Sequence, residues 1–276
     1  MIRLSVVIPS LNDAEMLREC LAAIAAQTRA PDEVIVVDNG STDDTAEVAA
    51  AAGARVVHEP VRGVLRATAA GFDAATGDLI GRLDADSRPA PDWAARIVGR
   101  FSADPTLDAL TGTGSFYGKD RFWHFVGKNL YVGGYLFVFR AVIGHLPLFG
   151  SNFAIRRATW LGIRDRVHLS DPKAHDDLDI SLVLGPDAGI DFDPFLNVQV
   201  SARPFDNWAG FVRRASWAFH IVGVNFREVG WLRRVWTCAQ GRKRRRERQR
   251  ELGLRIAPDG FPDAGLSLAS DPASPQ

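Results

Sequence analysis

Short, unbroken apolar runs alternate with amphipathic stretches through the first hundred residues. Leu4–Ile8, Glu33–Val37, Arg55–His58 and Leu79–Leu83 read as strands. The first of them, LSVVI, has the continuous apolar character of a parallel strand covered on both faces. Between the strands, Ala14–Gln27 carries Leu17, Leu21 and Ile24 on one helical stripe, Thr42–Ala52 follows Ser41 as an N-cap and stops at Gly53, and Arg66–Ala75 is closed by Gly77. This alternation predicts an α/β fold, a mostly parallel sheet flanked by helices. Ligands in such sheets lie past the carboxyl ends of the strands. Asn12, Asp38 and Asp84 each stand just beyond a strand end.

Past Pro91 the pattern loosens. Pro91–Phe101 is helical, Thr111–Gly118 is Gly-rich and polar, and Asp120–Leu148 is aromatic and apolar. Gly150–Ile155, a strand or loop, leads into a helix near Arg157–Gly162. His175–Leu184 is a second helix and Phe192–Val200 the last strand. Trp208–Glu228 is helical. Trp231, Leu232, Val235 and Trp236 then fall on one side of a further helix, with Arg233 and Arg234 on the other. Arg242–Arg250 is a charge run, and the last twenty residues have the Pro/Ser/Asp bias of a disordered tail.

Composition narrows the function. With 33 Lys plus Arg against 33 Asp plus Glu, there is no bulk positive charge to argue for nucleic acid. Cys20 and Cys238 support neither a disulfide framework nor a cysteine zinc site, and fit a reducing, cytoplasmic compartment. Met1–Pro9 is too short for a secretory signal peptide. The longest apolar stretch, Leu130–Phe149, is interrupted by Arg140 and His145, which argues against a membrane span.

The sharpest chemical signal is Leu83-Asp84-Ala85-Asp86, where a strand delivers two carboxylates into a turn. Hard cations such as Mg²⁺ or Mn²⁺ take oxygen ligands and complete their shells from phosphates and water. A departing diphosphate needs such charge compensation. Read alone, Asp-x-Asp is also an ordinary polar turn.

Five segments in order carry a resemblance: VVIPSLN (6–12), EVIVVDNGSTDDT (33–45), ATGDLIGRLDADSRP (75–89), GSNFAIRRATW (150–160) and DDLDISL (176–182). Over roughly residues 1 to 220 the chain resembles the family 2 glycosyltransferases, which have the GT-A fold and invert the anomeric centre. The resemblance implies a nucleotide-sugar donor, probed by Pro9 and Asn12 in the nucleotide pocket and by Asp38 at the base. It implies Asp84 and Asp86 as the DXD pair around Mg²⁺ or Mn²⁺, Asp86 the direct ligand, and Asp177 as the catalytic base, with Asp176 in place of the family's Glu. Ser201-Ala202-Arg203 and Arg213-Arg214-Ala215-Ser216-Trp217 resemble the Arg/Trp segment that closes over the diphosphate, so Arg214 and Trp217 join the donor site. The family's Ala-Arg-Asn before the glycine matching Gly71 reads Ala67-Thr68-Ala69 here; Arg66 or Arg82 could reach a phosphate instead. The Gly-Gly-Phe that often follows the acceptor helix is replaced by Gly162-Ile163.

The implied organisation is a nucleotide-sugar half at 1–115, an acceptor half at 116–205, a helical, membrane-contacting segment at 206–255 and a disordered tail at 256–276. Asp179 is expected to be structural, paired with an Arg such as Arg156 or Arg157; His175 is either a metal ligand or, as a lone His more often is, a hydrogen-bonded loop residue, and His168 and His220 are expected to be hydrogen-bonded in the same way. Aromatic and basic faces after Trp231 suit an anionic membrane surface on the inner side of a plasma membrane, and with it a lipid-linked hydroxyl acceptor; a buried helix with a solvated charged end is the plainer alternative. Two other functions compete: a sugar nucleotidyltransferase, disfavoured because Pro9-Ser10-Leu11-Asn12 replaces a Gly-rich loop with Lys, and a non-catalytic nucleotide-binding protein.

Overall fold

The computed structural model of the chain describes residues 1–117, 133–202 and 208–254, without the side chains of 208–211, 213 and 214. The tail from 256 and much of the aromatic stretch after Asp120 therefore lie outside the described residues. Eight strands form one sheet: β1 Leu4–Ser10, β2 Glu33–Asp38, β3 Arg55–His58, β4 Leu79–Arg82, β5 Arg88–Pro89, β6 Ala109–Tyr117, β7 Phe153–Arg156 and β8 Ile190–Ser201. Their order is β3-β2-β1-β4-β7-β6-β8-β5. The first four in that order are parallel; β7 then runs antiparallel between β4 and β6, β8 is parallel to β6, and β5 antiparallel to β8. The four predicted strands are all present, while β6 lies where the sequence shows a Gly-rich polar stretch. Its polar residues Thr111 and Thr113 are buried against neighbouring strands, so burial is invisible in their polarity.

The described helices are α1 Ala14–Ala25, α2 Thr45–Ala51, α3 Val64–Ala74, α4 Trp93–Ala103, α5 Gly133–Ile143, α6 Arg157–Ile163, α7 Asp176–Val183, α8 Trp208–Val229 and α9 Trp231–Glu251. They sandwich the sheet. Leu4, Val6 and Ile8 of β1 face the side covered by α1, α2 and α4, whereas Val7 between them faces α3 and α6. That period of two in a fully apolar strand is why both faces must be covered. Gly71 lets α3 lie against the sheet: a Cβ there would come within 2.4 Å of Val7 Cγ1 and 2.8 Å of Val37 Cγ2.

Several local expectations change. Ser41 does not cap α2, which starts at Thr45; its hydroxyl accepts the N–H of Asn12 at 3.0 Å instead. Gly77 does not close α3, which ends at Ala74; it is small because Ser5 N would lie 2.8 Å from a Cβ there. The charge run does not leave the fold as a separate element. It continues α9, where Arg245 pairs with Asp104 (2.9 Å) and Asp191 (2.8 Å) and Arg244 with Asp187. Arg234, expected on the polar side of that helix, is buried; it donates to the carbonyls of Ile143 (2.8 Å) and Leu182 (2.6 Å) and meets His145.

Asn152, within GSNF, locks the mixed half of the sheet. It is fully buried; its Oδ1 accepts the indole N–H of Trp93 (2.8 Å) and its Nδ2 donates to the carbonyls of Thr113 (2.8 Å) and Leu196 (2.7 Å). Asn152→Ala strands three polar groups in the interior and will lower the unfolding free energy by about 3 kcal/mol or more, each unsatisfied group costing on the order of 1–3 kcal/mol. Urea denaturation of the two proteins measures this, and a loss below about 1 kcal/mol would deny Asn152 that role.

Candidate active site

Parallel neighbours β1 and β4, together with β6 and β8 beyond β7, all point their carboxyl ends the same way. A cavity of about 340 Å³ opens there. Its wall takes Pro9 of β1 and Asp13 beyond it, Arg82, Asp84 and Asp86 from β4 and its turn, Phe116 from β6, and Val200 and Ser201 from β8. Gly150 and Ser151 ahead of β7, and His175, Asp176 and Asp177 at the start of α7, close it. Three of the predicted acids, Asp84, Asp86 and Asp177, thus face one space.

The centre of the site is a residue the sequence reading left nearly idle. Arg82 is 2% exposed, and its Nη1 donates to Asp84 Oδ1 and to the Gly150 carbonyl, both at 2.5 Å, while Nη2 meets Asp176 Oδ2 at 2.8 Å. It is therefore committed inside the wall and not available as a free phosphate ligand. The signal was present: an arginine inside the apolar strand LIGR must be paired when buried, and the two-residue repeat puts Asp84 on its own side. Asp84 uses its other oxygen to accept the Ser151 hydroxyl.

Asp176 and Asp177 are adjacent yet in opposite electrostatic situations. Both are desolvated, which disfavours charge. For Asp176 the Arg82 guanidinium overcomes burial, helped by the Thr68 hydroxyl at 2.7 Å, and holds its carboxyl below the usual range. For Asp177 burial, reinforced by the charge of Asp176, prevails and pushes its pKa up. Asp177 Oδ2 accepts the Gly150 N–H at 2.9 Å and lies 3.4 Å from the Tyr135 hydroxyl, whose stronger bond goes to the Leu148 carbonyl at 3.0 Å. Of two neighbouring carboxylates, one is a permanent anion bound to Arg82 and the other is poised to take a proton. Thr68, in the segment that departs from Ala-Arg-Asn, is thus a support for Asp176.

Of the remaining predicted residues, Asn12 and Asp38 lie at the ends of β1 and β2. Asp38 pairs in register with Ser10 next to Pro9; its Oδ1 accepts the Ser41 N–H at 2.9 Å and its Oδ2 lies 3.2 Å from His58 Nδ1. Burial raises its pKa, but the Ser41 and His58 hydrogen bonds outweigh that and leave it lowered. Asn12 has φ 55°, and its Oδ1 accepts the Thr42 N–H at 2.7 Å, joining the loops after β1 and β2. Asn12, Asp38 and Arg66 are not part of the cavity wall itself. Arg66 sits half-buried in the first turn of α3. Trp217 of α8 lies 6.2 Å from the ring of His175, at the cavity. The side chain of Arg214, and Arg203, lie outside the described residues.

Asp179 is structural as expected, but its partner is His168, at 2.7 Å from Nδ1, with Asn225 at 3.3 Å; Arg156 and Arg157 instead donate to backbone carbonyls. His168 and His220 are hydrogen-bonded as predicted, to Asp179 and Asp171. The exception is His175, whose buried Nε2 has no hydrogen-bond partner among the described residues. His175, Asp176 and Asp177 lie within 4.8 Å of one another, a spacing that could suit a cation. Arg82 binds both Asp176 and Asp84, so neither of these two acids is an uncommitted oxygen ligand for such a cation.

The glycosyl transferase family 2 model matches residues 5–161 of the chain. An uncharacterised glycosyltransferase of Mycobacterium tuberculosis is 44% identical over 108 residues, 39% of this chain and 47% of that protein. The undecaprenyl-phosphate 4-deoxy-4-formamido-L-arabinose transferase of Sodalis glossinidius is 38% identical over 106 residues, 35% of this chain and 32% of that protein. These alignments span less than half of the curated relatives. Among solved structures, glucosyl-3-phosphoglycerate synthase from Mycobacterium tuberculosis, in complex with Mn²⁺, UDP and glucosyl-3-phosphoglycerate, has the same fold, with TM-score 0.58, 24% identity and 80% of both chains covered. So does a mannosyltransferase from Pyrobaculum calidifontis in complex with GDP-Man and Mn²⁺, with TM-score 0.62, 22% identity and 87% of this chain and 74% of that one covered.

The opposed carboxylates have a thermodynamic signature. An acid whose folded pKa is raised binds more protons folded than unfolded between its two pKa values, so its contribution to stability falls as pH rises through that window. Asp177→Asn will therefore be more stable than the wild type at neutral pH without added metal. The difference will shrink as pH drops towards the ordinary carboxylate value of about 4. Denaturant titrations across pH test this; a mutant less stable at pH 7 would contradict the raised pKa.

Proposed function

Since the chain belongs to glycosyl transferase family 2, we propose that it is an inverting glycosyltransferase that moves a sugar from a UDP- or GDP-sugar to an acceptor hydroxyl. The observation that carries this reading is the cavity in which Asp177, its pKa raised, shares a wall with Asp84 and Asp86. In the reaction, Asp177 takes the proton of the acceptor hydroxyl as its oxygen bonds to the anomeric carbon. The bond from that carbon to the diphosphate oxygen breaks, and the electron pair leaves with the nucleoside diphosphate. The Asp177 carboxylate is kept in place by the Gly150 N–H on Oδ2 and the Leu178 N–H on Oδ1, and Asp176 is kept from competing for the proton by Arg82.

Asp84 and Asp86, which line the same cavity as Asp177, offer the carboxylate oxygens that a hard divalent cation takes. Asp86, with Asp84 beside it, would hold Mg²⁺ or Mn²⁺, and the bound ion supplies positive charge that stabilises the leaving diphosphate. Pro9, Asn12 and Asp38 would receive the nucleoside, the Asp38 carboxylate accepting an N–H from the base. Arg66, Arg214 and Trp217 would serve the phosphates by charge and stacking. We assign residues 1–115 to the donor half and 116–205 to the acceptor half. A lipid-linked acceptor is favoured by the likeness to the undecaprenyl-phosphate transferase.

Two variants separate the metal acids from the base. Asp86→Ala will lose Mn²⁺-dependent binding of UDP or GDP in calorimetry while keeping the wild-type circular dichroism; unchanged affinity would remove Asp86 from the metal site. Asp177→Asn will bind donor and metal normally yet transfer sugar about 10²–10⁴-fold more slowly in single turnover, the usual worth of a positioned base. A wild-type rate would exclude Asp177 as the base.

A further inference from the structure

Helix α5 turns Leu136, Phe139 and Ile143 into the core and leaves its other side bare. Phe137 is 69% exposed, and Val138 beside it is also exposed. Two neighbouring elements extend this bare surface. Phe219 of α8, 61% exposed, lies 6.1 Å from the Phe139 ring. On the other flank the Trp231 indole donates to the Val142 carbonyl at 2.9 Å, and a Cβ on Gly144 would lie 3.2 Å from Val235 Cα. Val138 and Val142 are one turn apart on α5, and Leu232 and Trp236 one turn apart on α9, so the Trp231 contact joins two apolar rows. Leu232 and Trp236 are 75% and 65% exposed. Isolated exposed apolar residues are ordinary, but a run of them across three touching helices is not.

The packing of α9 explains why they point outward. The buried residues of its first half are Arg234 and Cys238; Arg234 is held by the carbonyls of Ile143 and Leu182. The helix thus turns a cation inward, and Trp231, Leu232 and Trp236 are left facing water.

We propose that this face, formed by α5, the second half of α8 and the start of α9, docks on an anionic lipid bilayer. The charge around it fits that occupant. Helix α9 carries nine Arg or Lys residues against two Glu in a chain of zero net charge, and α5 adds Arg140 with no acid. Arg244 and Arg245 are neutralised by Asp187, Asp104 and Asp191, but among the described residues Arg140 and Arg233 have no carboxylate partner. Arg140 is close enough to Arg242 for the two charges to repel. Indole rings at the polar boundary with arginines alongside are the composition that an interfacial surface requires. A second copy of the chain fits less well, because an isologous pairing would bring two copies each of Arg140 and Arg233 into one interface. Nor does any helix among the described residues have the length and apolarity to cross a membrane, so the contact is with the bilayer surface.

The face also leads to the cavity. Tyr135, in the first turn of α5, reaches Asp177 Oδ2 and the Leu148 carbonyl. Docking would therefore set a lipid-linked hydroxyl near the base; this consequence rests on the proposed transferase reading, whereas the docking does not.

The experiment is co-sedimentation of the full chain with phosphatidylcholine vesicles, with and without phosphatidylglycerol. Deleting α9 would strip Arg234 and Arg245 from the fold, so point variants of exposed residues are used. Wild-type protein will pellet with the anionic vesicles at low salt and be partly released at high salt. Leu232→Ser with Trp236→Ser will weaken partitioning by roughly tenfold or more, and Arg233→Glu will weaken it on anionic vesicles only. Mn²⁺-dependent UDP or GDP binding, read separately, will be unchanged in all of them if the donor site is as proposed, and its absence would count against that site and not against docking. Failure of wild-type protein to pellet, or pelleting that the double variant leaves unchanged, overturns the proposal. So does a dimer in sedimentation equilibrium that the double variant dissolves, which would make a second copy the occupant.

Discussion

The site is organised around one buried cation. Arg82 carries its charge into the interior of the sheet, where desolvation is expensive, and three acids with a backbone carbonyl make that position tolerable. The acids belong to two distant stretches of sequence, Asp84 in the turn after β4 and Asp176 and Asp177 at α7. Arg82 is what sets them side by side. It also breaks the symmetry of the Asp176–Asp177 pair, since the acid it binds is stabilised as an anion and the other is not. Removing the guanidinium would leave acids crowded at low dielectric, a loss on the order of 3–5 kcal/mol. It would also disturb the alignment of both cavity walls at once.

Legibility in the sequence followed the physics of burial. The parallel half of the sheet is readable because β1, β2 and β4 are covered on both faces and so are almost uniformly apolar; β3, an edge strand with no buried residue, is placed by its two central valines. The mixed half was harder. In β6, Thr111 and Thr113 are buried but polar, because Thr111 bonds across to the segment around Asn152 and the Thr113 carbonyl receives the Asn152 amide. No hydrophobic period marks such a strand. The site acids were legible because carboxylates after strand ends are conspicuous, and Asp84, Asp86 and Asp177 do meet in one cavity. The tuning roles of Arg82, Thr68 and Gly150 are not legible in the sequence, because they depend on contacts up to 108 residues apart.

Helix α9 shows the same limit. As a string it reads as a charged run that water would solvate. Folded, it spends Arg234 on carbonyls at the ends of α5 and α7, and Arg245 on acids near the ends of α4 and the start of β8. Tertiary partners, absent from any local window, decide which arginines are structural and which remain outside. The same packing turns three large apolar side chains to the surface.

That placement of α9 constrains how the chain is made. Arg234 reaches back 91 residues to Ile143, and Arg245 reaches back 141 residues to Asp104. During vectorial synthesis the parallel strands can pair early, their partners being near in sequence. The carbonyls of Ile143 and Leu182, and the acids at 104 and 191, must wait for α9 to emerge from the ribosome. Contacts of such long range close slowly, and until they close an incomplete chain presents unsatisfied polar groups and apolar surface. While α9 is still inside the ribosomal exit tunnel, the nascent protein has its sheet outside and its clasp missing, a form exposed to chaperones and proteases.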